Sequence, residues 1–77
     1  MTTVAKRFQV IENGVTYEFE AAEEGGYVVH VPAAPGCWSE GDSFEEAFAM
    51  IKDALQGWVV LAKDRGIAFA PELNPRK

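Results

Sequence analysis

The sequence predicts an α+β fold: a three-stranded antiparallel sheet covered on one face by one helix, with a candidate short fourth strand near the C-terminus. Three observations predict it. Asn13-Gly14 separates two segments of alternating character, Tyr27 to Val31 is a β-prone run cut by Pro32, and apolar residues recur at helical spacing from Phe44 to Ala62. The 77 residues make one domain, 1–77, with a tail at 71–77 expected to fray.

The hairpin comes first. Asn-Gly is a strong two-residue turn because both positions tolerate positive φ, and so short a turn fixes the register. Counting outward sets Val10 opposite Tyr17 and Phe8 opposite Phe19 on an apolar face. On the other face Gln9 meets Glu18 and Arg7 meets Glu20, a cross-strand ion pair. A second turn follows at Glu23-Glu24-Gly25-Gly26 and leads into Tyr27–Val31. This strand is apolar on both sides except at His30, which makes it central. Pro32 ends it, because proline has no amide to give a ladder. Ala33 to Gly41, shaped by Pro35 and Gly36, reads as a loop.

Ser43 and Glu46 form a capping box at the start of the helix. Phe44, Ala47, Phe48, Ile51, Leu55, Trp58 and Ala62 define its apolar face. Glu45 and Glu46 in the first turn and Lys63 and Arg65 in the last suit the helix dipole, and Gly66 is a natural stop. Gly57 costs about 1 kcal/mol relative to alanine within the helix, which marks a close approach of another backbone. Ile67 to Ala70 is the candidate fourth strand, halted by Pro71.

Composition narrows the function classes. Seven basic residues against twelve acidic ones give a net charge of −5, which disfavours direct nucleic-acid binding and is compatible with a basic protein partner. One cysteine cannot close an internal disulfide, nor complete a zinc site with one histidine. A core this small then favours a partner subunit, so a homo-oligomer, dimer or tetramer, is expected. With no apolar run long enough for a membrane span, no signal-peptide core and an unpaired thiol, the expected location is the cytoplasm.

No catalytic constellation emerges. His30 is the obvious acid–base candidate, but no serine or cysteine is clearly placed beside it, so a surface or interface histidine is the better reading. Cys37 has Glu40, Asp42 and Glu45 nearby in sequence, which oppose thiolate formation, and reads as buried and inert. The pairs Glu18/Glu20 and Glu45/Glu46 do not converge on one point, so no metal and no cofactor is expected. Trp58 belongs to the helix's core stripe. Trp38, in a glycine- and proline-rich loop, is the better interface candidate of the two, with covering the core as an equally open role.

The central stretch resembles the HicB-like antitoxin family. The residues that carry it are Glu24-Gly25-Gly26-Tyr27-Val28-Val29, Val31-Pro32, Pro35-Gly36-Cys37, Ser39 and Gly41-Asp42-Ser43-Phe44-Glu45-Glu46-Ala47. The resemblance runs from about Tyr17 to Gly66. It implies a partial RNase H-like, HicB-type fold and a non-enzymatic role: binding and neutralising a small basic RNA-cleaving toxin of HicA type by occlusion. The carboxylates would then stand in for RNA phosphates, and Glu18, Glu20, His30 and Trp38 are the expected contact surface. Many members carry a C-terminal DNA-binding domain. This chain ends at Lys77, so operator binding is not expected. The alternatives are a solitary homo-oligomeric structural or ligand-binding module without a toxin and, less well supported, a metal-dependent nuclease.

Overall fold

The computed structural model describes residues 4–66 of the chain. Four strands and one helix follow in order: β1 (Val4–Glu12), β2 (Val15–Ala22), β3 (Tyr27–His30), β4 (Trp38–Gly41) and α1 (Phe44–Asp64). The strands form an antiparallel meander, β1-β2-β3-β4, with α1 across one face.

The first hairpin has the register that its turn dictates. Asn13 and Gly14 take φ values of 53° and 78°, the positive pair that a type I′ turn needs. Phe8 pairs with Phe19, Val10 with Tyr17, Gln9 with Glu18 and Arg7 with Glu20. The inner face carries the core. Phe8 and Phe19 stack with centroids 5.2 Å apart, Phe44 lies 4.9 Å from Phe19, and Phe48 meets Tyr17 edge-on at 5.1 Å. Phe19, Val29, Val31 and Ile51 are the largest fully buried side chains. Phe44, Ala47, Phe48, Ile51, Leu55 and Trp58 all reach this core, as the helical spacing predicts. Trp58 donates its indole N–H to the Pro35 carbonyl at 3.0 Å, which ties α1 to the loop before β4.

The α+β expectation holds, but the three-stranded sheet needs correction, since four strands are paired among the described residues. The additional strand within the described residues is Trp38–Gly41, which the sequence reading placed in a loop. The connection from β3 is compact. Ala34 donates to the Val31 carbonyl, Cys37 to Ala34, and Val31 to the Cys37 carbonyl, and this closes the turn and starts the ladder. From there Val29 pairs with Ser39 and Tyr27 with Gly41. The Ile67–Ala70 strand and the tail at 71–77 lie outside the described residues.

Close approach explains the glycine at the end of β4. A Cβ on Gly41 would stand 2.5 Å from the Ala47 amide nitrogen and 2.9 Å from its Cα, so only glycine lets the strand pass the first turn of α1. Ser43 caps that turn, its Oγ accepting from the Glu46 amide at 3.1 Å. Glu46 returns a bond, accepting from the amide of Asp42 at 2.8 Å. The reciprocal bond of the expected box is therefore made one residue before the cap. Helix α1 ends at Asp64, and Gly66 follows with φ of 73°. A Cβ at Gly57 would meet no atom of another element within 4 Å, so the close approach expected there is not made among the described residues.

Candidate functional site

Alternation along the four strands puts a second set of side chains on the face away from α1. The pairings order them in rows across the sheet: Gln9, Glu18, His30 and Trp38 in one, Arg7, Glu20, Val28 and Glu40 in the next. Each residue in a row comes from a different strand, so the backbone register alone brings them together.

The first row is linked side chain to side chain. Gln9 Nε2 donates to Glu18 Oε2 at 3.0 Å, and His30 Nε2 lies 3.4 Å from Glu18 Oε1. The imidazole of His30 then stacks on the indole of Trp38, with centroids 4.3 Å apart and planes 18° from parallel. In the second row Arg7 Nε lies 3.3 Å from Glu20 Oε2. All four residues singled out in the sequence, Glu18, Glu20, His30 and Trp38, thus occupy one face in two adjacent rows. Trp38 is 55% exposed, unusual for the largest apolar side chain.

Val28, two residues before His30 on β3, shares this face by alternation; Glu40 shares it too and was missed by sequence reasoning, because Trp38–Gly41 was read as loop. The alternation Cys37 in, Trp38 out, Ser39 in, Glu40 out was the available signal. With Glu40 the face holds three carboxylates against the one guanidinium of Arg7, and Trp38 stands among them as a raised apolar surface. Such a face can attract cationic side chains and bury an aromatic anchor.

Among the described residues the arrangement sets neither Ser39 nor Cys37 beside His30 as a nucleophile. Ser39 pairs with the fully buried Val29 on the inner face, and Cys37 is part of the buried core. Burial pushes the Cys37 thiol above its ordinary pKa, which keeps it protonated and unreactive at neutral pH. The glycines and prolines of the central stretch serve the backbone. Gly25 and Gly26 sit in the turn before β3, and Pro32, Pro35 and Gly36 shape the connection to β4. Among the described residues no three His, Cys, Asp or Glu side chains converge as metal ligands, and no helix is long and apolar enough to cross a membrane.

Comparison with known proteins connects this architecture to a family. The family model described as HicB-like antitoxin of bacterial toxin-antitoxin system matches residues 16–74. A UPF0150 protein of Thermoplasma acidophilum is 46% identical over 37 residues, which are 48% of this chain and 54% of that protein. A UPF0150 protein of Synechocystis is 41% identical over 51 residues, 66% of this chain and 67% of its own length. A third, from Helicobacter pylori, is 36% identical over 52 residues, 68% of this chain and 72% of its own length. The chain thus covers about half of the Thermoplasma relative and roughly two thirds of the other two. No solved structure matches it. The family match takes in β2 from Thr16 on, β3, β4 and the whole of α1, and on that ground the chain belongs to the HicB-like antitoxin family of bacterial toxin–antitoxin systems.

Proposed function

We propose that the protein is an antitoxin that binds a small basic RNA-cleaving toxin of HicA type and neutralises it by occlusion. The observation that carries this reading is the outer sheet face, where Glu18, Glu20 and Glu40 surround the stacked His30–Trp38 pair. A toxin that binds RNA must present cations spaced for phosphates, and a row of carboxylates on a rigid sheet competes for those cations. Glu18 and Glu20 supply the charge, Trp38 the apolar anchor, and His30 fixes the indole. The protein does this work as a homo-oligomer in the cytoplasm and needs no catalytic group, metal or cofactor.

The test is a pull-down of the tagged full chain from its source cells, with mass spectrometry of what co-purifies. A stoichiometric small basic companion that cleaves RNA alone, and not with the antitoxin added, is the expected result. Repeated recovery of the bait alone as a defined oligomer would replace this reading with that of a solitary homo-oligomeric module.

A further inference from the structure

Among the described residues the two edges of the sheet differ. The β1 edge is blunted by a bulge between Val4 and Lys6 and by the exposed charges of Lys6 and Arg7, devices that discourage strand addition. The β4 edge, Trp38-Ser39-Glu40-Gly41, has no lysine, no proline and an unbroken register with β3. The Val31–Cys37 bond sets its phase: Ser39 and Gly41 turn their backbone groups toward β3, and Trp38 and Glu40 turn theirs off the sheet. Beside this edge runs an uncharged flank of α1. Met50, Ala54, Gly57 and Leu61 recur there at helical spacing, and Met50 and Leu61 are 51% and 57% exposed. Met50 shares a shallow cleft with Val28, Trp38, Ser39 and Glu40.

We infer that two copies of the chain pair through β4, antiparallel about a two-fold axis at Ser39, joining two four-stranded sheets into one of eight. This deepens the self-association proposed above and rests on it, but not on the identity of any toxin. The register follows from charge. Setting Trp38 opposite Glu40 of the second copy uses both outward-facing residues of each strand, whereas setting Glu40 opposite itself would oppose like charges. Helix position agrees. Helix α1 packs over β3 and β4, so with strands about 4.8 Å apart its axis lies roughly 5 Å from the two-fold. The two helices then stand about 10 Å apart, which is packing distance, with the Met50–Leu61 flanks between them. An uncharged flank favours a second copy over a basic partner at this edge. The pairing also makes the two outer faces continuous, with both Trp38 rings near the axis.

Sedimentation equilibrium of the full chain alone tests it, together with an oxidised Ser39→Cys variant. A residue facing itself at a non-hydrogen-bonded antiparallel position has Cα atoms about 4.5 Å apart, within disulfide reach. The expected results are a two-chain mass and a cross-link mapped by peptide mass to position 39 of both chains. At least tenfold weaker association is expected in Glu40→Pro, which removes an outward N–H, and in Leu61→Asp, each with an unchanged circular dichroism spectrum. A one-chain mass at every concentration would overturn self-association altogether. A two-chain mass without the cross-link, undiminished by Leu61→Asp, would overturn this interface and leave self-association standing.

Discussion

His30 and Trp38, paired across β3 and β4, hold their rings face to face at 4.3 Å, and the stack leaves the indole half-exposed on an acidic surface. A rigid aromatic side chain that is already oriented loses little entropy on binding, which is why tryptophan recurs among residues that dominate binding energy. Trp38→Ala is expected to weaken toxin binding by at least 2 kcal/mol, about 30-fold. Folding stability should fall by no more than about 1.5 kcal/mol, the worth of an aromatic pair. Isothermal titration against the co-purified toxin and a thermal melt read the two effects. Unchanged affinity would remove Trp38 from the contact surface.

Charge reversal probes the rest of the face. In Glu18→Lys with Glu20→Lys, toxin affinity should drop and its salt dependence should flatten, because the steering carboxylates are lost. The fold should survive. Glu20 pairs with an Arg7 whose side chain is 72% exposed, and an exposed pair of that kind contributes about 0–1 kcal/mol. Titrations at low and high salt decide it: equal affinities for the two proteins at low salt would contradict the electrostatic part of the mechanism.

Much of this surface was legible because one turn fixed it. Asn13-Gly14 set the β1–β2 register, and the Arg7–Glu20 and Gln9–Glu18 pairs followed from counting. His30 needed only alternation along β3. The fourth strand was harder to see. Trp38-Ser39-Glu40-Gly41 has no β-branched residue and ends in glycine, so its extended form comes from pairing with β3 and from the turn bonded through Ala34, not from local preference. Glu40 was hidden with it. Gly57 was legible as a costly residue in a helix, but its expected backbone neighbour is not found among the described residues.

Gly41 offers a sharper stability test than any surface residue. A Cβ at this position meets the backbone of Ala47, which cannot turn aside as the tip of a side chain can. Gly41→Ala should therefore destabilise the fold by about 1–3 kcal/mol, in the range for overpacking, by pushing β4 from the capped first turn of α1. Urea unfolding should show a lower midpoint with an unchanged slope. A midpoint equal to that of the unmodified chain would mean that strand and helix can separate without cost.

The buried pair Tyr17 and Cys37 sets the response to alkali. Burial raises the pKa of both, and for Tyr17 the nearby Glu12 and then Cys37 push in the same direction. The unfolded chain therefore gives up these protons at lower pH than the folded one. Over the interval between the unfolded and folded values the native state binds more protons, so stability falls as pH rises. The contribution is complete below about pH 8.5, where a free thiol begins to ionise, and declines further above about pH 10 as free tyrosine does. Urea unfolding from pH 7 to 11 should show this decline, and Cys37→Ala with Tyr17→Phe should make it shallower even though the variant starts from lower stability. Thiol reagent at pH 7 should modify native Cys37 far more slowly than the same residue in urea, since the side chain is only 4% exposed. A decline of equal steepness in the double variant would assign the alkaline loss to other groups, and fast labelling of the native thiol would show that the core opens around β4.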